Sequence, residues 1–130
     1  MPVTRSLNAL LGMLLLLTPL ALSQGGVGSC HPYPGAVAPD CLQLIGDNLG
    51  NDSPLACSDG LATINLRQCS ITTKCAAGET EVVRDDVVRR ALTSIGACAL
   101  NDYGSISGSY TDENGAKTCY LYPGNESQCD

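Results

Sequence analysis

Eight cysteines, at positions 30, 41, 57, 69, 75, 98, 119 and 129, constrain this 130-residue chain more than any other feature. No two of them are separated by the two to four residues that zinc ribbons and fingers use, and His31 is the only histidine. The even count then predicts four disulfides and an oxidising compartment. Bridges matter here because the core must be thin: there is no Phe and no Trp, and five tyrosines supply all the aromatic bulk. Each bridge contributes about 2–4 kcal/mol by restricting the unfolded chain, so four are comparable with the whole net stability of a domain, about 5–15 kcal/mol. Eight cysteines allow roughly 105 complete pairings, and the sequence does not choose among them.

Residues 1–23 have the parts of a secretory signal. Arg5 gives a positive start, Leu7 to Leu17 are almost continuously apolar, and Thr18-Pro19 breaks the run. Ala21-Leu22-Ser23 then offers small residues for cleavage, leaving Gln24 first. The apolar run is short for a bilayer-spanning helix of about 20 residues, so no stable membrane insertion is expected. Residues 24–130 are expected to form one secreted, disulfide-rich domain. Arg5 is one of seven Lys/Arg, and its removal leaves six against thirteen Asp/Glu. An acidic chain without a basic stripe repels phosphate backbones, which argues against a nucleic-acid partner. Two sequons, Asn51-Asp52-Ser53 and Asn125-Glu126-Ser127, are candidate N-glycosylation sites on such a route.

Gln24 to Ala38, rich in Gly and Pro, predicts an extended arm pinned by Cys30. A helix is expected over Pro39 to Leu49, with Pro39 in the first turn, Asp40 at the positive end and Gly50 just past the close. Leu61 to Cys75 alternates like strand, and its apolar phase shifts near Gln68, fitting either one bent strand or a tight hairpin. Asp85 to Ala99 is the clearest helix, with an apolar face of Val87, Val88, Ala91, Leu92, Ile95 and Cys98. Tyr103 to Tyr110 and Ala116 to Tyr122 read as a hairpin around Asp112-Glu113-Asn114-Gly115, since Asn-Gly suits a tight turn. Cys119 and Leu121 alternate with Thr118, Tyr120 and Tyr122, so one face of that last strand is expected to be buried. The order predicts an α+β fold, two helices packed on one face of an antiparallel sheet.

No motif implies a catalytic residue, a metal or a cofactor. His31 lies in a Pro/Gly-rich arm without a partner at a diagnostic spacing, and no Gly-x-Ser-x-Gly nucleophile motif is present. Asp85-Asp86 reads as charge at a helix start rather than a carboxylate pair. Arg89-Arg90 is either a dibasic processing site or, with Asp85 and Asp86 four residues earlier, two helix-surface ion pairs; the second reading is preferred. Tyr120 and Tyr122, with Tyr110 opposite, are a candidate binding surface for a glycan or protein, or else plain cover on the outer sheet face.

Asp40-Cys41-Leu42-Gln43-Leu44-Ile45 opening a first helix, Gln68-Cys69-Ser70-Ile71 on a strand, Val87 to Cys98 as a second helix, and a glycine-containing strand Tyr103 to Tyr110 carry a family likeness. Together they resemble small cysteine-rich secreted fungal effectors, and in particular the α/β-sandwich killer toxins of smut fungi. The resemblance implies a ferredoxin-like, disulfide-braced sheet covered by two helices, and carries over no catalytic residue. Hydrophobins and plant lipid-transfer proteins differ in their adjacent Cys-Cys pairs, which this chain lacks. The expected function is a non-enzymatic, effector-like protein, monomeric, that binds an extracellular host protein or glycan (in the host apoplast for a plant-associated fungus). A toxin acting on competing cells is the first alternative, and a small secreted hydrolase the second.

Overall fold

The computed structural model describes residues 25–100 and 104–129; the expected signal segment and Tyr103 lie outside them. Two helices organise the chain. The first, α1 (Ala38–Asn48), starts with Pro39 in its first turn and closes before Gly50, whose φ of 77° is left-handed. The second, α2 (Arg84–Ala99), buries Val87, Val88, Ala91, Ile95 and Cys98 of the expected apolar face, whereas Leu92, expected on it, is exposed at the stripe's edge.

The strands are β1 (Val27–Cys30), β2 (Ala36–Val37), β3 (Pro54–Ala56), β4 (Leu61–Leu66), β5 (Cys69–Lys74), β6 (Glu81–Val83), β7 (Ser105–Ile106), β8 (Gly108–Thr111) and β9 (Lys117–Leu121). Five of them form one antiparallel sheet in the order β1-β8-β9-β5-β4, and β2–β7 and β3–β6 are small two-stranded ladders. The arm expected over Gln24 to Ala38 thus contributes an edge strand rather than only a tether. The shift of phase near Gln68 is a tight hairpin: Leu66 faces Cys69 across the turn, and Arg67 takes a φ of 48°. The expected tail strand is broken at Ser107 into β7 and β8, which join different ladders.

Alternating strand directions make β5 and β8 parallel, joined by α2 and separated by β9. Likewise β1 and β4 are parallel and joined through α1, with three strands between them. Both helices lie on one face. Cys69 on β5 is bonded to Cys41 of α1, while Thr73, on the same side of β5, accepts from Arg90 of α2. The expectation of two helices on one face of a disulfide-braced antiparallel sheet holds at that level.

Ile64, Ile71 and Tyr120 from the sheet meet Leu44 and Ile45 of α1, and Val87, Val88 and Ile95 of α2, in the main core. Burying a side chain such as Ile71 is worth about 1.5–3 kcal/mol. The far face of the sheet is not bare. Cys119, Leu121 and Cys129 pack there with Tyr33 as a second, smaller core. β9 is therefore buried on both faces, whereas its alternation predicted one.

The four bridges are Cys30–Cys98 (β1 to α2), Cys41–Cys69 (α1 to β5), Cys57–Cys75 (β3's exit to the end of β5) and Cys119–Cys129 (β9 to the terminal 3-10 turn at Glu126–Gln128). All eight expected cysteines are paired. Each helix is tied once to the sheet, and each core is crossed by at least one bridge.

Candidate functional site

Two turns rise at one end of the sheet. The first follows β5: the Glu79 amide donates to Ala76 O at 2.9 Å, and Glu79 Oε1 accepts from the Ala76 amide at 3.1 Å. Gly78, at φ 81°, allows that reversal. The second joins β8 to β9, where Asp112 Oδ1 accepts from the amides of Asn114 and Ala116, both at 2.9 Å. This is an Asx-type knot that fixes the loop through one carboxylate. Between the turns lies a cleft of about 440 Å³, lined by Lys74, Cys75, Glu79, Asn114 and Ala116. A second cleft of about 240 Å³ shares Lys74, Glu79 and Ala116 and continues to Glu81, Asp86 and Arg90. The lining of this pair carries two cations and three carboxylates.

Arg90 forms part of the second cleft's wall. Its Nε donates to Thr118 Oγ1 at 2.8 Å and its Nη2 to Thr73 Oγ1 at 3.2 Å, with Nη1 3.9 Å from Asp112 Oδ2. Thr118 Oγ1 donates in turn to Thr73 Oγ1, and Thr73 Oγ1 to Lys117 O, at 3.1 and 2.8 Å. Thr73 and Thr118 are directly opposite on β5 and β9. A guanidinium, two hydroxyls and a carbonyl thus form one satisfied polar chain between α2 and the sheet. The expected surface pairing of Arg90 with Asp86 is corrected by this geometry. Arg90 falls three residues after Val87 and four before Ser94, both buried, so the helix turns it inward. Arg89 does pair with Asp85, at 2.7 Å.

The tyrosines do not share one surface. Tyr120 occupies a helix-facing position of β9 and is 0 % exposed, its hydroxyl 3.0 Å from Ser94 Oγ and donating to Cys98 Sγ at 2.8 Å. Tyr110 is half-buried over Gly26, and Tyr122 is 42 % exposed past the end of β9. The predicted binding surface of Tyr110, Tyr120 and Tyr122 is thereby corrected: the outward-facing residues of β9 are Lys117, Cys119 and Leu121, and the second core includes the last two. Burial pushes the Tyr120 phenol up, and the bond to Ser94 opposes that only in part.

Among the described residues, the carboxylates that shift, Asp40, Asp85 and Glu126, all shift down. Arg67, then the Gln68 amide, hold Asp40 below its ordinary value, and Arg89, then the Gly50 amide, do the same for Asp85. Burial raises Glu126, but its own amide, the Gly124 amide and the Ser70 hydroxyl outweigh that and lower it. A general acid requires the opposite direction. Cys57, Cys75 and Glu79 bring three donor atoms within 4.8 Å of one another, yet the two sulfurs are bonded to each other and offer no thiolate.

The sequons fall in different settings. Asn51 is exposed between α1 and β3, and Asn125 is half-buried at the start of the terminal 3-10 turn. Sequence reasoning placed the cysteines, sequons and helix ends but missed the clefts. Only the Asn-Gly turn pointed toward them, since Arg90 read as one of two helix-surface ion pairs. Comparison with known proteins finds no family model, no curated protein and no solved structure that matches this chain.

Proposed function

We propose that the chain is a secreted, cysteine-rich, effector-like glycoprotein that acts outside the producing cell by binding a host protein or glycan without chemistry of its own. The paired clefts carry this reading. Their walls are two short turns fixed in advance, one beside the Cys57–Cys75 bridge and one knotted by Asp112, with Arg90 locked between them. A preformed, charge-lined surface loses little entropy on binding, and alternating charges favour a specific polar partner. Four disulfides suit an oxidising, protease-rich exterior. Among the described residues, no helix is long and apolar enough to cross a membrane.

A second reading, a toxin acting on competing cells, is favoured by the arrangement for which the killer toxins of smut fungi are known: two helices on one face of a disulfide-braced antiparallel sheet. Fold alone does not choose between the two. Growth-inhibition assays against competing microbes, run beside pull-downs from host extracellular fluid, separate them. The effector reading predicts capture of a host component without killing. Killing without capture would replace it with the toxin.

A further inference from the structure

We propose that Asn51, and not Asn125, is the sequon that carries an N-linked glycan. The inference deepens the secreted-glycoprotein reading and rests on the chain entering the secretory route. As motifs the two sequons differ in the residue that follows, Pro54 after Ser53 and Gln128 after Ser127; as folded structures they differ in what holds the asparagine amide. Asn51, Asp52 and Ser53 are all exposed. The Asn51 side chain accepts from the Ser53 amide at 3.0 Å and from the Ser53 hydroxyl at 2.7 Å, and both bonds end on Oδ1. Its backbone does the structural work of the turn, donating to Asn48 O at 3.1 Å and accepting from the Asp85 amide at 3.0 Å. The fold therefore uses the acceptor oxygen and the main chain of Asn51, and among the described residues its Nδ2 takes no part.

Nδ2 is the atom that the modification changes. Its nitrogen displaces the diphosphate from the anomeric carbon of a lipid-diphosphate-linked oligosaccharide. A C–N bond forms, the anomeric C–O bond breaks, the lipid diphosphate leaves with the electron pair, and Nδ2 gives up one proton. Oδ1 keeps both lone pairs, so the Ser53 bonds and the turn persist under a bulky, hydrated substituent.

Asn125 is held at both ends of its amide. Nδ2 donates to Tyr122 O at 3.0 Å, and Oδ1 accepts from Gln128 Nε2 at 3.1 Å. The hydroxyl of Ser127 makes no bond to it, and the whole sequon lies inside the ten-residue Cys119–Cys129 span. A sugar on Nδ2 there has to share its nitrogen with the bond to Tyr122 O in a half-buried turn.

The test is expression of the full chain in a yeast secretion host, followed by peptide mapping of protein from the medium after enzymatic deglycosylation in heavy-oxygen water. Expected is Asp with heavy oxygen at position 51 and unlabelled Asn at 125. Asn51→Gln and Ser53→Ala each abolish the mobility shift on deglycosylation, and Asn125→Gln leaves it intact; two different routes to losing the first sequon guard against a folding defect in either. Label at 125, or secreted protein with neither site labelled, overturns the assignment while leaving secretion standing. A chain retained in the cytosol with free thiols overturns both.

Discussion

The Tyr120 hydroxyl reaches Ser94 and the Cys98 sulfur, while Gly108 lies across the ladder from Tyr120. A Cβ at Gly108 would run into the Tyr120 hydroxyl and the backbone oxygen of Ser29. Gly108→Ala should therefore cost about 1–3 kcal/mol through overpacking. Tyr120→Phe should cost about 1 kcal/mol for its lost hydrogen bond. Urea unfolding of the oxidised proteins measures both, and an unchanged midpoint for Gly108→Ala would contradict the packing described. The neighbouring arginines make a sharper contrast, since the Arg90 side chain is 16 % exposed and that of Arg89 61 %. Arg90→Met removes charged hydrogen bonds to Thr118 and Thr73 and should lose about 1.5–3 kcal/mol. Arg89→Met should barely move the midpoint, because exposed ion pairs contribute little.

At the scale of elements, three carboxylates tie two helix starts and the terminal turn to neighbouring segments. Asp40 ties the first turn of α1 to the β4–β5 hairpin through Arg67 and the Gln68 amide. Asp85 ties α2 to the Gly50 amide, and Glu126 ties the terminal turn to Ser70. All three are depressed in the folded state, from ordinary values of 3.8 for the aspartates and 4.5 for the glutamate. A depressed carboxylate contributes stability that is present above its unfolded pKa and lost as pH falls through its folded pKa. Unfolding free energies should therefore be level near neutrality and fall below about pH 4, and Asp40→Asn should flatten that acid limb. A wild type equally stable at neutral and strongly acid pH would contradict these ties.

The helices were legible at this scale because propensity, end charges and a one-sided stripe agreed: Asp85 to Ala99 was expected, and Arg84–Ala99 is found. The N–G turn was legible for the same local reason. The facing of β9 was not. A strand buried on both sides carries no polarity difference to say which side is the main core, so Tyr120 read as surface. Arg90 misled in another way, since a charged residue at a stripe edge reads as solvated until the threonines it meets are known. Those threonines come from two strands 45 residues apart in sequence, a juxtaposition that no local pattern encodes.

Across the whole molecule, the bridges close very different lengths of chain, with separations of 68 residues for Cys30–Cys98 and 10 for Cys119–Cys129. On chain entropy, removing the first by paired Ser substitution should destabilise by about 1–2 kcal/mol more than removing the second. Calorimetric comparison of the two double variants gives the difference, and a reversed order would mean that the terminal bridge braces more than its own loop. The Cys57–Cys75 bridge also braces one cleft wall, so the proposed activity depends on the oxidised fold rather than on any linear segment. The most direct test is quantitative capture from host extracellular fluid by four matched samples: oxidised wild type, reduced wild type, oxidised Ala116→Arg and oxidised Asp47→Arg. Ala116 lines both clefts, and its long replacement fills them; Asp47 is an exposed position on α1 outside their walls. Capture of one component by oxidised wild type and Asp47→Arg, lost on reduction and in Ala116→Arg, is the predicted result, and equal capture by all four would contradict it.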